Sequence, residues 1–294
     1  MINTSDDYTG PATVGLCVDT DWIGLWWDLA TAFQRHLEQE NNGRSDRWSQ
    51  RARPFDASVK RRREENDPLR DFVLNKISGD TTLLDIGAGT GSWALPVAQH
   101  IRQVTALEPS ESMRNILLEN LAECRITNVT VIAGRWEGLD IEQHDYVLCS
   151  HAMYTSPDII GFARKMEQAA RRACFMLMRL PSANGVMAEL SRRLRGHPHD
   201  SPNFIVGYNA LIVAGFCPNV MIERGLRPWH NATLEDAFQR VRRHLRLADD
   251  NYDTVIRATL ERRLVRRGGE YWWPDGMRSA LIWWEPDTTL PRPS

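Results

Sequence analysis

The stretch that decides the fold reads Leu83-Leu84-Asp85-Ile86-Gly87-Ala88-Gly89-Thr90-Gly91. Its short apolar start predicts a buried parallel strand, and the run from Ser92 to Ala98 predicts a helix. The three glycines at alternate positions predict a tight turn between them, because a Cβ there would block a ligand or force an unfavourable φ. A strand, turn and helix of this kind direct backbone N–H groups and a helix N-terminus at whatever binds above the strand.

The details of this stretch distinguish between ligands. Its spacing is G-x-G-x-G, whereas the dinucleotide fingerprint is G-x-G-x-x-G. Asp85 precedes the first glycine, and Glu108 ends the next apolar run, nineteen positions after Gly89 (108 − 89). A carboxylate before the turn favours a ligand with an ammonium and a sulfonium over a diphosphate. A carboxylate at the end of the second strand is placed to accept hydrogen bonds from both hydroxyls of a ribose.

At these residues the sequence resembles the class I S-adenosylmethionine-dependent methyltransferases. The segment from Asp85 to Gly91 matches the first motif of that family, and Glu108 stands where the second motif ends. The resemblance implies an α/β, Rossmann-like, doubly wound sheet of seven strands, mostly parallel with an antiparallel seventh strand. It also implies S-adenosylmethionine as the cofactor, and the alternative is a glycine-rich turn without a ligand. The cofactor residues that it assigns here are Asp85, Gly87, Gly89, Gly91 and Glu108.

The resemblance extends to the adenine end of the cofactor. Pro109 and Met113 follow Glu108, where an apolar residue packs on the adenine in relatives, although Met113 also suits a helix core. After the third strand relatives have Gly-Asp-Ala, with the acid bonding the adenine amino group. This chain has Arg135 there, which cannot accept a hydrogen bond. The adenine contact is therefore assigned to the N–H and indole of Trp136, with Glu137 as the alternative acceptor.

A segment upstream of the glycine-rich turn resembles a lead-in found in many small-molecule methyltransferases. Residues 48–56 match its pattern, W-x-x-R-A-x-x-F-D, and in such relatives the segment folds over the methionine end of the cofactor. Trp48, Arg51 and Phe55 are therefore candidates for a lid. The alternative is an ordinary amphipathic helix with aromatic core residues. Pro54 predicts a bend at Arg53, because proline disfavours the helical conformation in the residue before it.

The end of the fourth strand is the position that faces the transferable methyl group in this family. Here it reads Cys149-Ser150-His151-Ala152-Met153-Tyr154. Ser150 is assigned to the cofactor, and His151 and Tyr154 are candidates for a general base or substrate ligand, because histidine titrates near neutral pH. The alternative is a structural role for both. The Asp/Asn-Pro-Pro-Tyr/Phe run with which amino methyltransferases grip a flipped base is absent, which argues against base methylation.

Other histidines are weaker candidates. His230 follows the sixth predicted strand and is a less favoured base. His197 and His199 lie in a turn-rich loop without carboxylate or cysteine neighbours, so no metal site is predicted. A dedicated base is not essential, since the methyl sulfonium is already activated and alignment of the reactants supplies much of the rate.

Composition describes an ordinary globular chain. Its 294 residues are 42% hydrophobic and 25% charged, and the formal net charge of −2 argues against a dominant nucleic-acid-binding role. The five cysteines form no C-x-x-C pair, which argues against zinc and against a disulfide framework. No apolar run approaches ~20 residues, and the N-terminus lacks a basic region followed by an apolar one. We therefore expect no membrane association and a cytoplasmic location.

Strands and helices alternate after residue 67, which predicts a parallel sheet. We expect an N-terminal helical segment and lid over residues 1–66, a cofactor-binding core over 67–180, and a helical insertion with the last strands over 181–294. The predicted strands lie near 82–86, 103–108, 129–133, 145–150, 173–178, 219–226 and 279–284. Predicted helices include 92–101, 111–123, 157–170, 187–195, 205–215, 233–246 and 250–264.

The function that these features favour is methyl transfer to a small molecule. The donor motifs, the lead-in segment and the aromatic-rich terminal regions are the reasons. One alternative is methylation of RNA or protein, with Arg192-Arg193, Arg242-Arg243 and Arg262-Arg263 as a basic surface. The other is a cofactor-binding protein without transferase activity, suggested by the altered position Arg135.

Overall fold

The computed structural model describes residues 20–41, 46–224 and 227–286. Its centre is a sheet in the order β3-β2-β1-β4-β5-β9-β6. The first five strands are parallel, and β9 is antiparallel to both of its neighbours. This confirms the predicted sheet with one reversed strand. The bounds are β1 (Gly79–Ile86), β2 (Ile101–Glu108), β3 (Val129–Ala133), β4 (His144–Ser150), β5 (Ala170–Pro181), β6 (Asn219–Ile222) and β9 (Glu270–Trp284).

Two short strands that were not predicted extend the sheet. They are β7 (Arg227–Asn231) and β8 (Val265–Arg267), and both pair with the first half of β9. Strand β9 is one continuous element, where the sequence predicted an extended piece followed by a separate strand. Gly268 and Gly269, at φ of +59° and +89°, join β8 to β9 in a two-residue hairpin, for which positive φ is required. The pairing covers an edge that would otherwise be exposed.

Helices cover both faces of the sheet. Alternate residues of each strand point to opposite faces, so Leu83 and Phe175 belong to one core and Leu84 and Met176 to the other. None of the helices in the three described ranges combines the length and apolar character that crossing a bilayer requires. The helices are α1 (Trp22–Asn41), α2 (Ala52–Arg63), α3 (Pro68–Lys76), α4 (Ala94–Ala98), α5 (Glu111–Glu123), α6 (Ile159–Ala169), α7 (Val186–Arg195), α8 (Phe204–Val213), α9 (Leu234–Leu245) and α10 (Asp253–Arg263).

Local signals explain several helix starts and correct two expectations. Asp67 caps α3 by accepting from the N–H groups of the second and third residues of the helix, as its sequence predicts. Pro54 does not bend the chain at Arg53, because it is the third residue of α2, where a missing N–H costs no hydrogen bond. Helix α4 is shorter than predicted, because the chain is still turning at Trp93 and β2 begins at Ile101.

The insertion after β5 is helical, as predicted, and it divides between two cores. Helix α8 packs against α1 and α6 on one face of the sheet. Helix α7 packs with α9 and α10 in a separate core that includes Leu190, Phe238 and Trp273. The C-terminal part of the chain therefore both completes the sheet and builds a smaller helical layer against β7 and the first half of β9.

Candidate functional site

The two predicted carboxylates lie on one face of the sheet, at the carboxyl ends of neighbouring strands. Asp85 of β1 pairs with Ala106 of β2, and Glu108 is two residues further along β2. Side chains two residues apart in a strand share a face, so both acids face the glycine-rich turn. Both are almost fully buried, with 2% and 6% of their surface exposed.

Asp85 is held in an unfavourable environment. Burial is the main cause that raises its pKa to about 7, and the nearby charge of Glu108 adds to the shift. The N–H of Ala94 at the start of α4 acts in the opposite direction. Its Oδ2 atom is buried and has no hydrogen-bond partner among the residues that the structure describes. A buried carboxylate oxygen without a donor is costly, and a cationic ligand would reduce that cost.

Glu108 is bound by main-chain donors. Its Oε2 accepts from the N–H of Gly89 at 2.9 Å, and its Oε1 accepts from the N–H of Ser110 at 2.8 Å. Burial raises its pKa, while these two hydrogen bonds and the charge of Arg47 act against the rise. Each carboxylate oxygen can accept a second hydrogen bond, so the group can still bind a diol.

The turn between the two acids depends on glycine for two different reasons. Gly87, Gly89 and Gly91 have φ of +72°, +57° and +91°. A Cβ on Gly87 or Gly91 would collide with neighbouring side chains, among them Ala152 at 2.3 Å from the Gly87 position. Among the described residues, a Cβ on Gly89 would meet Phe55 alone, at 3.8 Å. The space beside Gly89 is therefore open for a ligand.

The lead-in segment folds over this turn from the N-terminal side. The carboxylate of Asp46 accepts from the Ser110 hydroxyl and from the N–H of Ser112, which ties the segment to the start of α5. The rings of Trp48 and Phe55 lie 5.3 Å apart between centroids and pack against Met113. The predicted lid is thus anchored at the β2–α5 corner.

The remaining candidates for the lid and for the adenine contact differ in their exposure to solvent. The Arg51 side chain and Pro109 are exposed, and Met113 is buried beneath the lid aromatics. Arg135 is exposed and lies close enough to Arg47 for the two charges to interact. Arg47 therefore adds a second positive charge near Arg135, the residue predicted at the adenine end.

The indole of Trp136 does not line the cofactor cleft. It lies in the core against Phe162, with ring centroids 6.1 Å apart, and Lys165 covers its other side. Aromatic packing on α6 accounts for this position. The adenine contact was assigned to both the indole and the main-chain N–H of Trp136. With the indole in the core, the main-chain N–H remains the candidate for that contact.

The end of β4 brings the two predicted catalytic residues together. Ser150 is its last residue, and the His151 that follows has a positive φ of 58°. His151 Nδ1 lies 2.9 Å from the hydroxyl of Tyr154. The same hydroxyl accepts the N–H of Arg179 on β5 at 2.6 Å. Burial raises the pKa of Tyr154 to about 12.

Three residues beside this edge were not selected as site candidates from the sequence, namely Phe33, Arg179 and Arg246. The guanidinium of Arg179 lies 4.1 Å from the ring centroid of Tyr154. Arg179 also approaches Phe33 of α1, as does Arg246 after α9. No local motif marks them, because they come from three elements far apart in the chain.

The weaker histidine candidates lie elsewhere. His230 pairs with Glu270 at 3.2 Å and stacks on Trp272, in the C-terminal strands. His197 and His199 stack on each other. Within the three described ranges, no group of three or more histidine, cysteine or acidic residues is arranged to hold a metal ion.

Comparison with known proteins finds similarity to methyltransferases over part of the chain. Residues 83–173 match a family model described as a methyltransferase domain. An uncharacterised protein of Haemophilus influenzae is 25% identical over 224 residues, which are 72% of this chain and 78% of that protein. A demethylmenaquinone methyltransferase of Listeria monocytogenes is 30% identical over 98 residues. That match covers 32% of this chain and 41% of the enzyme. The crystal structure of the YcgJ protein of Bacillus subtilis aligns with a TM-score of 0.48 at 16% identity, over 74% of this chain and 97% of that one.

Proposed function

Because this chain carries a class I S-adenosylmethionine-dependent methyltransferase domain, we propose that it transfers a methyl group to a small-molecule acceptor. The observation that carries the proposal is the pair of buried carboxylates, Asp85 and Glu108, on one face of the sheet with an open glycine between them. This donor set fits an adenosyl sulfonium, since one acid lacks a partner for an oxygen atom and the other can accept from a diol.

The cofactor supplies an electrophilic methyl group when bound. We assign Asp85 to its charged methionine part, Glu108 to its ribose and Gly89 to the close approach of its backbone. Trp48, Phe55 and Met113 form an apolar cover at the neighbouring corner. Their role is to exclude water and fix the position of the bound molecule.

We assign different roles to His151 and Tyr154 at the acceptor side. Tyr154 stays neutral at physiological pH, because burial raises its pKa to about 12, and it donates to or accepts from His151 according to the tautomer of the ring. We therefore assign Tyr154 as a positioning residue. His151, exposed at the strand end, is the candidate that takes a proton from the acceptor at Nε2 while Nδ1 faces the phenol.

The contacts of the predicted basic surface support a small acceptor over RNA. Arg262, Arg263 and Arg193 all pair with the single carboxylate of Glu189. Arg242 pairs with Asp253. Four of the six arginines of that surface are therefore in contact with carboxylates of the same chain, and each would have to leave its partner to bind a phosphate. A surface that binds RNA needs several free cations along its path.

Titration calorimetry tests the donor half of the proposal. We expect S-adenosylmethionine and S-adenosylhomocysteine each to bind the wild-type protein at one site. Asp85→Ala and Glu108→Ala should each weaken binding by about 1–3 kcal/mol, the cost of leaving a charged hydrogen bond unmade. Absence of binding at millimolar ligand would refute the proposal.

A partition experiment tests the acceptor half. Methyl-labelled S-adenosylmethionine is incubated with the protein and with a cell extract divided by size into metabolites and macromolecules. We expect label in a new small-molecule product, separated by chromatography from unreacted S-adenosylmethionine, and less of that product with His151→Ala. Label confined to the macromolecular fraction, with uptake that falls steeply as salt rises, would favour RNA methylation instead. No labelled product in either fraction would favour the non-catalytic alternative.

We also propose a cytoplasmic location. The four cysteines in the described ranges, Cys124, Cys149, Cys174 and Cys217, are all free thiols, which suits a reducing compartment. Mass spectrometry of the purified protein under non-reducing conditions checks this, and quantitative alkylation of these thiols is the expected result.

A further inference from the structure

Two arginines from distant elements meet over one aromatic ring beside the β4 edge. Arg179 lies near the end of β5, and Arg246 directly follows α9. Their guanidinium carbons are 5.8 Å and 5.2 Å from the ring centroid of Phe33 on α1. We refer to Arg179 and Arg246 as the arginine pair. Three separate elements thus bring two like charges to one small area.

The arginine pair adjoins the residues assigned to the acceptor side. The N–H of Arg179 donates to the hydroxyl of Tyr154, and its guanidinium lies over the ring of the same residue. Tyr154 in turn contacts His151. Arg179 is therefore separated from His151 by a single residue, Tyr154.

Much of the hydrogen-bonding capacity of the pair is unused. In both arginines the Nε atom is buried without a partner among the described residues. The Arg179 guanidinium donates to one carbonyl, that of Pro202 at 3.3 Å. Within the same ranges, that of Arg246 has no hydrogen bond or ion pair, and its contact is with Phe33. An arginine offers five donors, and buried donors without acceptors are costly.

The negative charge nearest to the pair is engaged elsewhere. The carboxylate of Asp200 is held by His244, with Nε2 and Oδ2 3.0 Å apart, and by the hydroxyl of Ser201 at 2.8 Å. Asp200 acts on both arginines through its charge but forms no ion pair with either, within the residues described. One carboxylate that is already in contact with a histidine and a hydroxyl cannot neutralise two guanidinium groups.

A third arginine increases the imbalance. Arg195 donates to the carbonyls of Asp200 and Leu245, at 3.3 Å and 2.5 Å, which neutralise no charge. Burial, together with the charges of Arg195 and Arg179, lowers the pKa of Arg246 to about 10, although the charge of Asp200 acts in the opposite direction. This part of the molecule therefore carries excess positive charge in a partly buried place, which an anion would stabilise.

We propose that the arginine pair binds an oxyanion of the methyl acceptor, a carboxylate or a phosphate, while Phe33 and Tyr154 contact an apolar part of the same molecule. Both guanidinium groups lie close to aromatic rings and have Nε donors without a partner among the described residues, and guanidinium groups bind oxyanions through paired hydrogen bonds. The inference rests on the proposed function and adds the charge of the acceptor to it.

The test uses small probes and the full chain loaded with S-adenosylhomocysteine. Titration calorimetry at constant ionic strength compares benzoate with benzamide, which has the same size and no charge, and also measures inorganic phosphate. We expect benzoate to bind roughly tenfold or more tightly than benzamide, the scale for a hydrogen bond to a charged group. Binding of phosphate but not benzoate would also support the inference and would identify a tetrahedral anion.

Variants assign the effect to the arginine pair. Arg246→Gln should abolish the preference for the charged probe, and Arg246→Lys should retain part of it, because lysine keeps the charge without the fork. Arg102→Gln is the matched control, since Arg102 lies on β2 in an exposed ion pair with Asp80 and should leave probe binding unchanged.

Affinity for S-adenosylhomocysteine separates the two proposals. Unchanged affinity in Arg246→Gln would show that the variant is folded. Normal binding of S-adenosylhomocysteine with equal affinity for benzoate and benzamide, and none for phosphate, would overturn this inference and leave the methyltransferase proposal intact. No binding of S-adenosylhomocysteine by the wild-type chain would remove both.

Discussion

Replacing Asp85 with asparagine should make the ligand-free protein more stable at neutral pH while impairing cofactor binding. The folded protein holds this carboxyl at a pKa of about 7, against 3.8 for the ordinary group, chiefly because it is buried. Between these values the folded chain retains a proton that the unfolded chain has released. The free energy of unfolding therefore falls as the pH rises through this window. Asparagine has the same shape and no charge, so it removes this dependence.

The size of the effect follows from the shift. Each pH unit within the window changes the free energy of unfolding by about 1.4 kcal/mol. From about pH 5 to about pH 7 the wild type should therefore lose roughly 2–3 kcal/mol more than Asp85→Asn does. Urea unfolding at several pH values measures the difference, since the midpoint and slope give the free energy directly.

A matched control is Asp145→Asn. Asp145 lies at the other end of the sheet, next to the first residue of β4, and accepts from the N–H and hydroxyl of Thr82. Its replacement should destabilise the protein by about 1 kcal/mol, the scale of a lost hydrogen bond. The reasoning about Asp85 would be refuted if Asp85→Asn showed the wild-type pH dependence, or if it bound S-adenosylmethionine as tightly as the wild type.

Three further predictions concern the turn, the ribose and the acceptor edge. Gly89→Ala should weaken S-adenosylmethionine binding at least tenfold by calorimetry. Its control is Gly196→Ala, because Gly196 also has a positive φ, +81° against +57° for Gly89, and open surroundings. Both variants should lower thermal stability by about 1 kcal/mol, and Gly196→Ala should leave binding unchanged. Glu108→Gln should weaken binding by about 1–3 kcal/mol, and an unchanged dissociation constant would contradict the ribose assignment. Tyr154→Phe should leave that constant unchanged but lower kcat and alter its pH profile. It should also cost about 1–3 kcal/mol in urea unfolding, because the buried N–H of Arg179 loses its acceptor.

The residues proposed to bind the cofactor could be identified from the sequence, because they lie close together in the chain. The strand, glycine turn and helix around Gly87 form a local unit, and Glu108 ends the strand that pairs directly with it. The alternation of strands and helices predicted the parallel sheet, and the family resemblance predicted its reversed strand. Parallel strands ending at one edge made the meeting of Asp85 and Glu108 a consequence of local pattern.

Tertiary structure alone decided the position of Trp136 and the arrangement of the residues proposed for the acceptor side. The sequence offered Trp136 as a wall of the cofactor cleft, but packing on α6 turned its indole into the core. Arg179, Arg246 and Phe33 come together only because β5, α9 and α1 meet at one place. Contacts between residues far apart in the chain leave no periodicity or motif in the sequence. The residues proposed for the donor side could therefore be selected from spacing, while those proposed for the acceptor side required knowledge of which surfaces pack against each other.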